Sequence, residues 1–147
     1  MTAAKPLPLP DQDTAPFWEA LREHRLTVQR CERCGHHQHY PRLLCTGCGS
    51  REVVPVEVAG TGTVYATTIV RRAPSPAFAD DVPYVVALVQ LDEGPRLLAN
   101  VVGCPVDDVA IGQPVTVVYD DVTPEVTLYR FRPVDAAEPP DGEGSGR

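Results

Sequence analysis

The chain has 147 residues, a formal charge of −7 and a pI near 5.0, with 43% hydrophobic, 22% charged and 6% aromatic residues. That size favours one compact domain, or a domain with a small satellite, over a multidomain enzyme, and the acidity argues against a surface that grips nucleic acid or anionic membrane throughout. Sixteen prolines and 11 glycines argue against long helices.

Residues 1–13 are rich in proline and polar groups and read as a flexible arm, with Pro6, Pro8 and Pro10 interrupting any signal-peptide-like run. Asp13 or Thr14 is placed to cap a short helix from Ala15 to about His24, with Pro16 tolerated in its first turn. Phe17, Trp18 and Leu21 recur at helical spacing and must bury against something else. Leu26, Val28 and Arg30 then alternate as a strand leading into Cys31.

From Val54 to Val70 the alternation predicts one long strand kinked at Gly60-Thr61-Gly62. Further strands are expected at Tyr84–Leu91, Arg96–Val102, Val115–Tyr119 and Val126–Phe131, with a helical turn near Val106–Ile111. The tail, 134–147, has little to bury and reads as disordered. The longest apolar run, Tyr84 to Val89, is far too short to span a bilayer, so a cytoplasmic protein with no membrane association is expected.

This order of elements is that of an OB-fold. The predicted class is therefore mainly β: a short N-terminal helix and a rubredoxin-like zinc ribbon over 14–52, followed by a five-stranded OB-fold barrel over 53–133. A generic five-stranded antiparallel barrel or sandwich would show the same pattern.

Four of the five cysteines stand as two CxxCG turns, Cys31-x-x-Cys34-Gly35 and Cys45-x-x-Cys48-Gly49. A two-residue gap lets both sulfurs of a pair reach one ion, and two such turns complete a tetrahedral S₄ site. All four positions come from the protein, so Cys31, Cys34, Cys45 and Cys48 predict a structural Zn²⁺. Rubredoxin-like iron shares the geometry, and a redox-active CxxC is the rival reading. His36, His37 and His39 lie between the turns and read as solvated residues, since four ligands are already supplied. Cys104 reads as a lone thiol acting as a small hydrophobe.

No nucleophile elbow, metalloprotease motif or phosphate-binding loop occurs, and the acidic pairs fall in predicted turns. The sequence thus holds no catalytic constellation. Charge is uneven: residues 1–52 carry +1 and residues 53–147 carry −8. Arg22, Arg25, Arg30 and Arg42 are candidate contacts for a phosphorylated ligand on the more basic side.

The short helix with Phe17-Trp18, the two CxxCG turns around Tyr40-Pro41-Arg42, the Gly60-x-Gly62-x-Val64 strand, Pro83 to Val89, Ile111-Gly112-x-x-Val115 and Phe131-Arg132-Pro133 together resemble the zinc-ribbon/OB-fold family known as domain of unknown function 35. The resemblance covers about 14–133. It implies an acyl-CoA-associated accessory subunit in lipid metabolism that pairs with thiolase-superfamily enzymes, including lipid-transfer-type thiolases and side-chain aldolases, or with hydratases. It also implies that catalysis belongs to the partner while this chain helps accommodate the CoA thioester. On this reading Phe17 and Trp18 dock on the partner. The alternative is a single-stranded nucleic-acid-binding OB-fold, with Tyr65, Tyr84, Tyr119, Tyr129 and Phe131 as a stacking platform; the acidity of residues 53–147 opposes it.

Overall fold

A computed structural model describes residues 5–134, so the tail expected to be disordered lies outside the described residues except for Val134. Helix α1 (Ala15–Arg22) is followed by β1 (Thr27–Cys31), β2 (His37–Gln38) and β3 (Val53–Glu57), then β4 (Thr61–Val70), β5 (Tyr84–Leu91), β6 (Arg96–Val101), β7 (Pro114–Asp121) and β8 (Thr127–Pro133). Single 3₁₀ turns stand at Pro76–Phe78 and Val106–Asp108. No helix among the described residues is long and apolar enough to cross a membrane.

Two sheets form. The first has the order β2-β1-β3, and the second is a closed barrel, β4-β5-β6-β8-β7, with β7 returning to β4. This is the strand order of an OB-fold. Strand β4 serves both halves of the barrel: Gly62–Val70 run along β5, while Thr61–Thr63 pair with β7. A register shift between Val64 and Ala66 gives it the bend this requires.

The predicted continuous strand from Val54 to Val70 is a correction. Residues 53–57 pair with β1, Val54 facing Arg30 and Val56 facing Val28, and so belong to the first sheet. The alternation is continuous across the break, because both segments are half-buried strands; only the partner changes. The glycines supply the change. Gly60 has φ of +83°, and a Cβ there would run into the Val117 side chain. One on Gly62 would strike the Gln90 carbonyl of β5.

The barrel interior is built from alternate positions, Val85, Ala87, Val89 and Leu91 of β5 and Leu97, Ala99 and Val101 of β6, with Val64, Val115 and Phe131. Phe17 and Leu21 of α1, Leu26, Val28 of β1 and Val58 belong to the same cluster. The helix and the first sheet thus share one core with the barrel. Val101 and Phe131 form the one parallel register pair closing β6 on β8, and the seam is supported by the Tyr129 hydroxyl donating to the Leu98 carbonyl (2.8 Å). Burial pushes the Tyr129 phenol up to about 12, which keeps it a donor at any ordinary pH.

At the junction Phe17 meets Trp18 edge-on at 5.1 Å, Tyr129 at 5.9 Å and His39 at 5.1 Å between ring centroids. The His39 Nδ1 is buried without a partner, and burial holds this imidazole down to about 4. On the opposite edge His24 stacks on Tyr119 and reaches the Asp121 carboxylate at 3.0 Å.

Two outcomes follow. Gly62→Ala should lose more than about 2 kcal/mol in chemical denaturation, since backbone must move, whereas Gly94→Ala, with open space around it, should lose on the order of 1 kcal/mol. For His39 the folded pKa lies below the unfolded value of 6.5, so the unfolded chain binds the extra proton between about pH 6.5 and 4. Stability should therefore fall through that window, by roughly 2–3 kcal/mol in all. His39→Phe should remove this component, read as the pH dependence of the difference between the two proteins' unfolding free energies.

Candidate metal centre

Each CxxCG segment makes a tight reversal in which the glycine N–H returns to the first cysteine's carbonyl, Gly35 to Cys31 at 2.8 Å and Gly49 to Cys45 at 2.9 Å. The reversals aim four sulfurs at one point. Cys31 and Cys48 lie 3.7 Å apart, Cys34 and Cys45 3.6 Å, and all four lie within 4.8 Å of one another. A tetrahedral ion with metal–sulfur bonds of about 2.3 Å needs sulfurs about 3.8 Å apart, so the residues present fit a closed four-thiolate site. No histidine joins this grouping among the described residues.

Backbone N–H groups prepare the sulfurs for negative charge. Cys34 N–H points at the Cys31 sulfur (3.5 Å), and Gly47 and Cys48 N–H groups point at Cys45 (3.2 and 3.4 Å). The Cys34 N–H is the main reason the Cys31 thiol is pulled down to about 6. At Cys34 the His36 N–H acts in the same direction, but burial and the protons shared with Cys45, Cys48 and Cys31 outweigh it and push this thiol up to about 12. Four thiols this close cannot all ionise alone; a divalent cation removes that restriction.

Two residues that the sequence did not single out hold the segment between the turns. The buried Gln38 side chain donates to Gln29 Oε1 (2.8 Å) and to the Leu44 carbonyl (3.1 Å), while its own oxygen accepts from the Thr46 N–H (2.8 Å) and hydroxyl (3.1 Å). Gln29 in turn donates to the Arg42 carbonyl (2.9 Å) and accepts from the Arg42 N–H (2.8 Å). A pair of amides thereby satisfies the backbone of a loop too short to build a strand ladder. Their signal in the sequence is weak: an uncharged residue in each of two strands, one of them only two residues long.

The other sequence candidates scatter. Arg22 and Arg25 lie at and just beyond the end of α1, Arg30 in β1 and Arg42 in the loop between the turns; the Arg25 guanidinium is held by Glu23 at 2.6 Å. Phe17, expected to face a partner, is 3% exposed, because the apolar face of α1 closes over the barrel. Trp18 is half-buried beside it. His36 meets the Thr46 hydroxyl at 3.0 Å. Burial and Asp108 raise the Cys104 thiol, which disfavours a nucleophilic role. The supposed stacking platform is not assembled: Phe131 is fully buried, Tyr129 is half-buried at the seam, Tyr119 is stacked against by His24 and Tyr65 lies under Arg96 at 3.6 Å.

Residues 18–54 match the ChsH2 rubredoxin-like zinc ribbon domain, and residues 55–120 match the ChsH2 C-terminal OB-fold domain. The chain is 36% identical over 129 residues to a DUF35 domain-containing scaffold protein of Pyrococcus furiosus, covering 83% of this chain and 93% of that one. It is 44% identical over 131 residues to a probable enoyl-CoA hydratase alpha subunit of Thermomonospora curvata, covering 89% of this chain. It spans only 40% of that longer protein. Among solved structures it is similar to a chain of the Ltp2-ChsH2(DUF35) aldolase, with TM-score 0.78 and 44% identity over 86% of this chain and 98% of that one.

Removing the metal with a chelator, or replacing Cys45 by Ser, should expose the amides of residues 31–52 to rapid hydrogen exchange while those of Val85–Leu91 stay protected. Gln38→Ala should give a milder loosening of the same segment, about 1–3 kcal/mol in its opening free energy, with the metal still bound.

Proposed function

This chain belongs to the DUF35 family of zinc-ribbon and OB-fold proteins, and from that premise we propose that it is a non-catalytic accessory subunit of an acyl-CoA enzyme. The observation that carries the reading is the similarity, over 86% of this chain and 98% of the other, to a chain of the Ltp2-ChsH2(DUF35) aldolase. A complete ribbon and barrel are present, and the described residues contain no assembled nucleophile, base and orienting group. The partner, an enzyme of the lipid-transfer-type thiolase or hydratase kind, supplies the reacting groups; the enoyl-CoA hydratase name of one relative supports an acyl-CoA thioester as substrate, and the aldolase structure supports an enzyme partner.

The metal on this reading is zinc, in a structural role. Cys31, Cys34, Cys45 and Cys48 leave no coordination position for substrate, so the ion's contribution is to order a segment of about twenty residues that has little core of its own. Arg22 and Arg30, whose guanidinium groups make no ion pair or hydrogen bond among the described residues, are the candidates for the CoA phosphates.

Co-expression with a lipid-transfer-type thiolase or hydratase subunit encoded beside it should yield a complex on size-exclusion chromatography. Cleavage or hydration of the partner's acyl-CoA substrate should then depend on this chain. A partner that is soluble and fully active alone, with no complex formed, overturns the reading. Stoichiometric zinc and no iron by elemental analysis is the expected metal content.

A further inference from the structure

The loop between the cysteine turns carries an unusual combination. Tyr40, Leu43 and Leu44 fall within five residues and are 47%, 57% and 43% exposed. Its backbone is not loose: Gln29 holds both the N–H and the carbonyl of Arg42, and Gln38 holds the Leu44 carbonyl. The fold thus places apolar side chains in water on a frame fastened from beneath. A core that could absorb two leucines lies in the same molecule, where Leu91 and Leu97 are fully buried.

Charge marks the same stretch. In a chain of net charge −7, residues 33–51 contain Arg33, Arg42 and Arg51 and not one carboxylate. The guanidinium groups of all three make no ion pair or hydrogen bond among the described residues, whereas Arg71 and Arg130 of the barrel are paired with Asp107 and Asp120. Arg42 stands between the tyrosine and the leucines with its backbone pinned and its charge unanswered. Exposed Tyr, Leu and Arg on a preorganised frame are what a protein partner can bury with little ordering of the loop.

We propose that Tyr40, Arg42, Leu43 and Leu44 form the surface by which this chain docks on its enzyme partner, and that the partner presents an apolar recess bordered by carboxylates. The proposal rests on the accessory-subunit reading above and gives that reading a location. Leu43 and Leu44 enter the recess, Arg42 meets a carboxylate, and Arg33 and Arg51 lie nearer the rim, where they steer association. The metal turns act as the clamp that keeps this loop in its docking shape. This assigns Arg42 to a protein carboxylate rather than to a CoA phosphate.

The test uses the full chain, the zinc-loaded protein and the co-expressed thiolase or hydratase subunit, with affinity measured by calorimetry. L43S/L44S should weaken the complex at least tenfold, and R42E should weaken it and flatten its dependence on salt. In both, metal content and thermal unfolding should match the parent protein, which separates docking from folding. Leu98 on the barrel is 61% exposed, and L98S should bind as the parent does. If the parent chain binds and L43S/L44S binds equally well, this surface is overturned while the accessory role stands. If the parent chain does not bind, both fall. If instead the parent chain alone self-associates in sedimentation and L43S/L44S abolishes that, the loop joins two copies and the proposal is overturned.

Discussion

Four sulfurs within 4.8 Å of one another are the constraint on which the N-terminal third of the molecule depends. The Cys34 N–H pulls the Cys31 thiol to about 6, while burial and the protons shared with the neighbouring thiols drive Cys34 to about 12. A cation that binds all four joins two turns separated by ten residues of chain. The end of β1, the two-residue β2 and the loop from Tyr40 to Leu44 all take their positions from this point. The glutamine pair beneath the loop completes the arrangement by satisfying backbone groups that no strand reaches.

The barrel stands on a different footing. Its interior is a set of alternate valines, leucines and alanines on strands that close on one another, and burial of that surface is its main source of stability. The two regions are nevertheless one body, because Phe17, Leu21, Leu26 and Val28 reach into the same core. The metal-dependent segment therefore hangs from a β1 whose first half is anchored hydrophobically and whose last residue is a ligand.

That division suits a subunit whose work is to hold another protein. The loop from Tyr40 to Leu44 presents to solvent, on a fastened backbone, the exposed Leu43 and Leu44 and Arg42, whose guanidinium makes no ion pair or hydrogen bond among the described residues. The stretch from Arg33 to Arg51, free of carboxylates, has a surface chemistry different from that of the acidic barrel.

By itself the sequence determined the four ligands, the strands from Tyr84 onward and the OB-fold order, because metal spacing and period-two alternation are local properties written in adjacent residues. It also carried the family resemblance, for the same reason. What it left open was decided by which segments meet. Val54 and Val56 alternate the same way whether they pair with β1 or continue into the barrel, and only the contacts of Gly60 with Val117 and Gly62 with Gln90 settle the break. Phe17 reads as an aromatic that must bury against something, and only the packed core shows that this chain itself covers it; Gln29 and Gln38 read as ordinary polar residues until the loop folds over them. Pairing and burial are relations between distant parts of the chain, so only the tertiary structure supplies them.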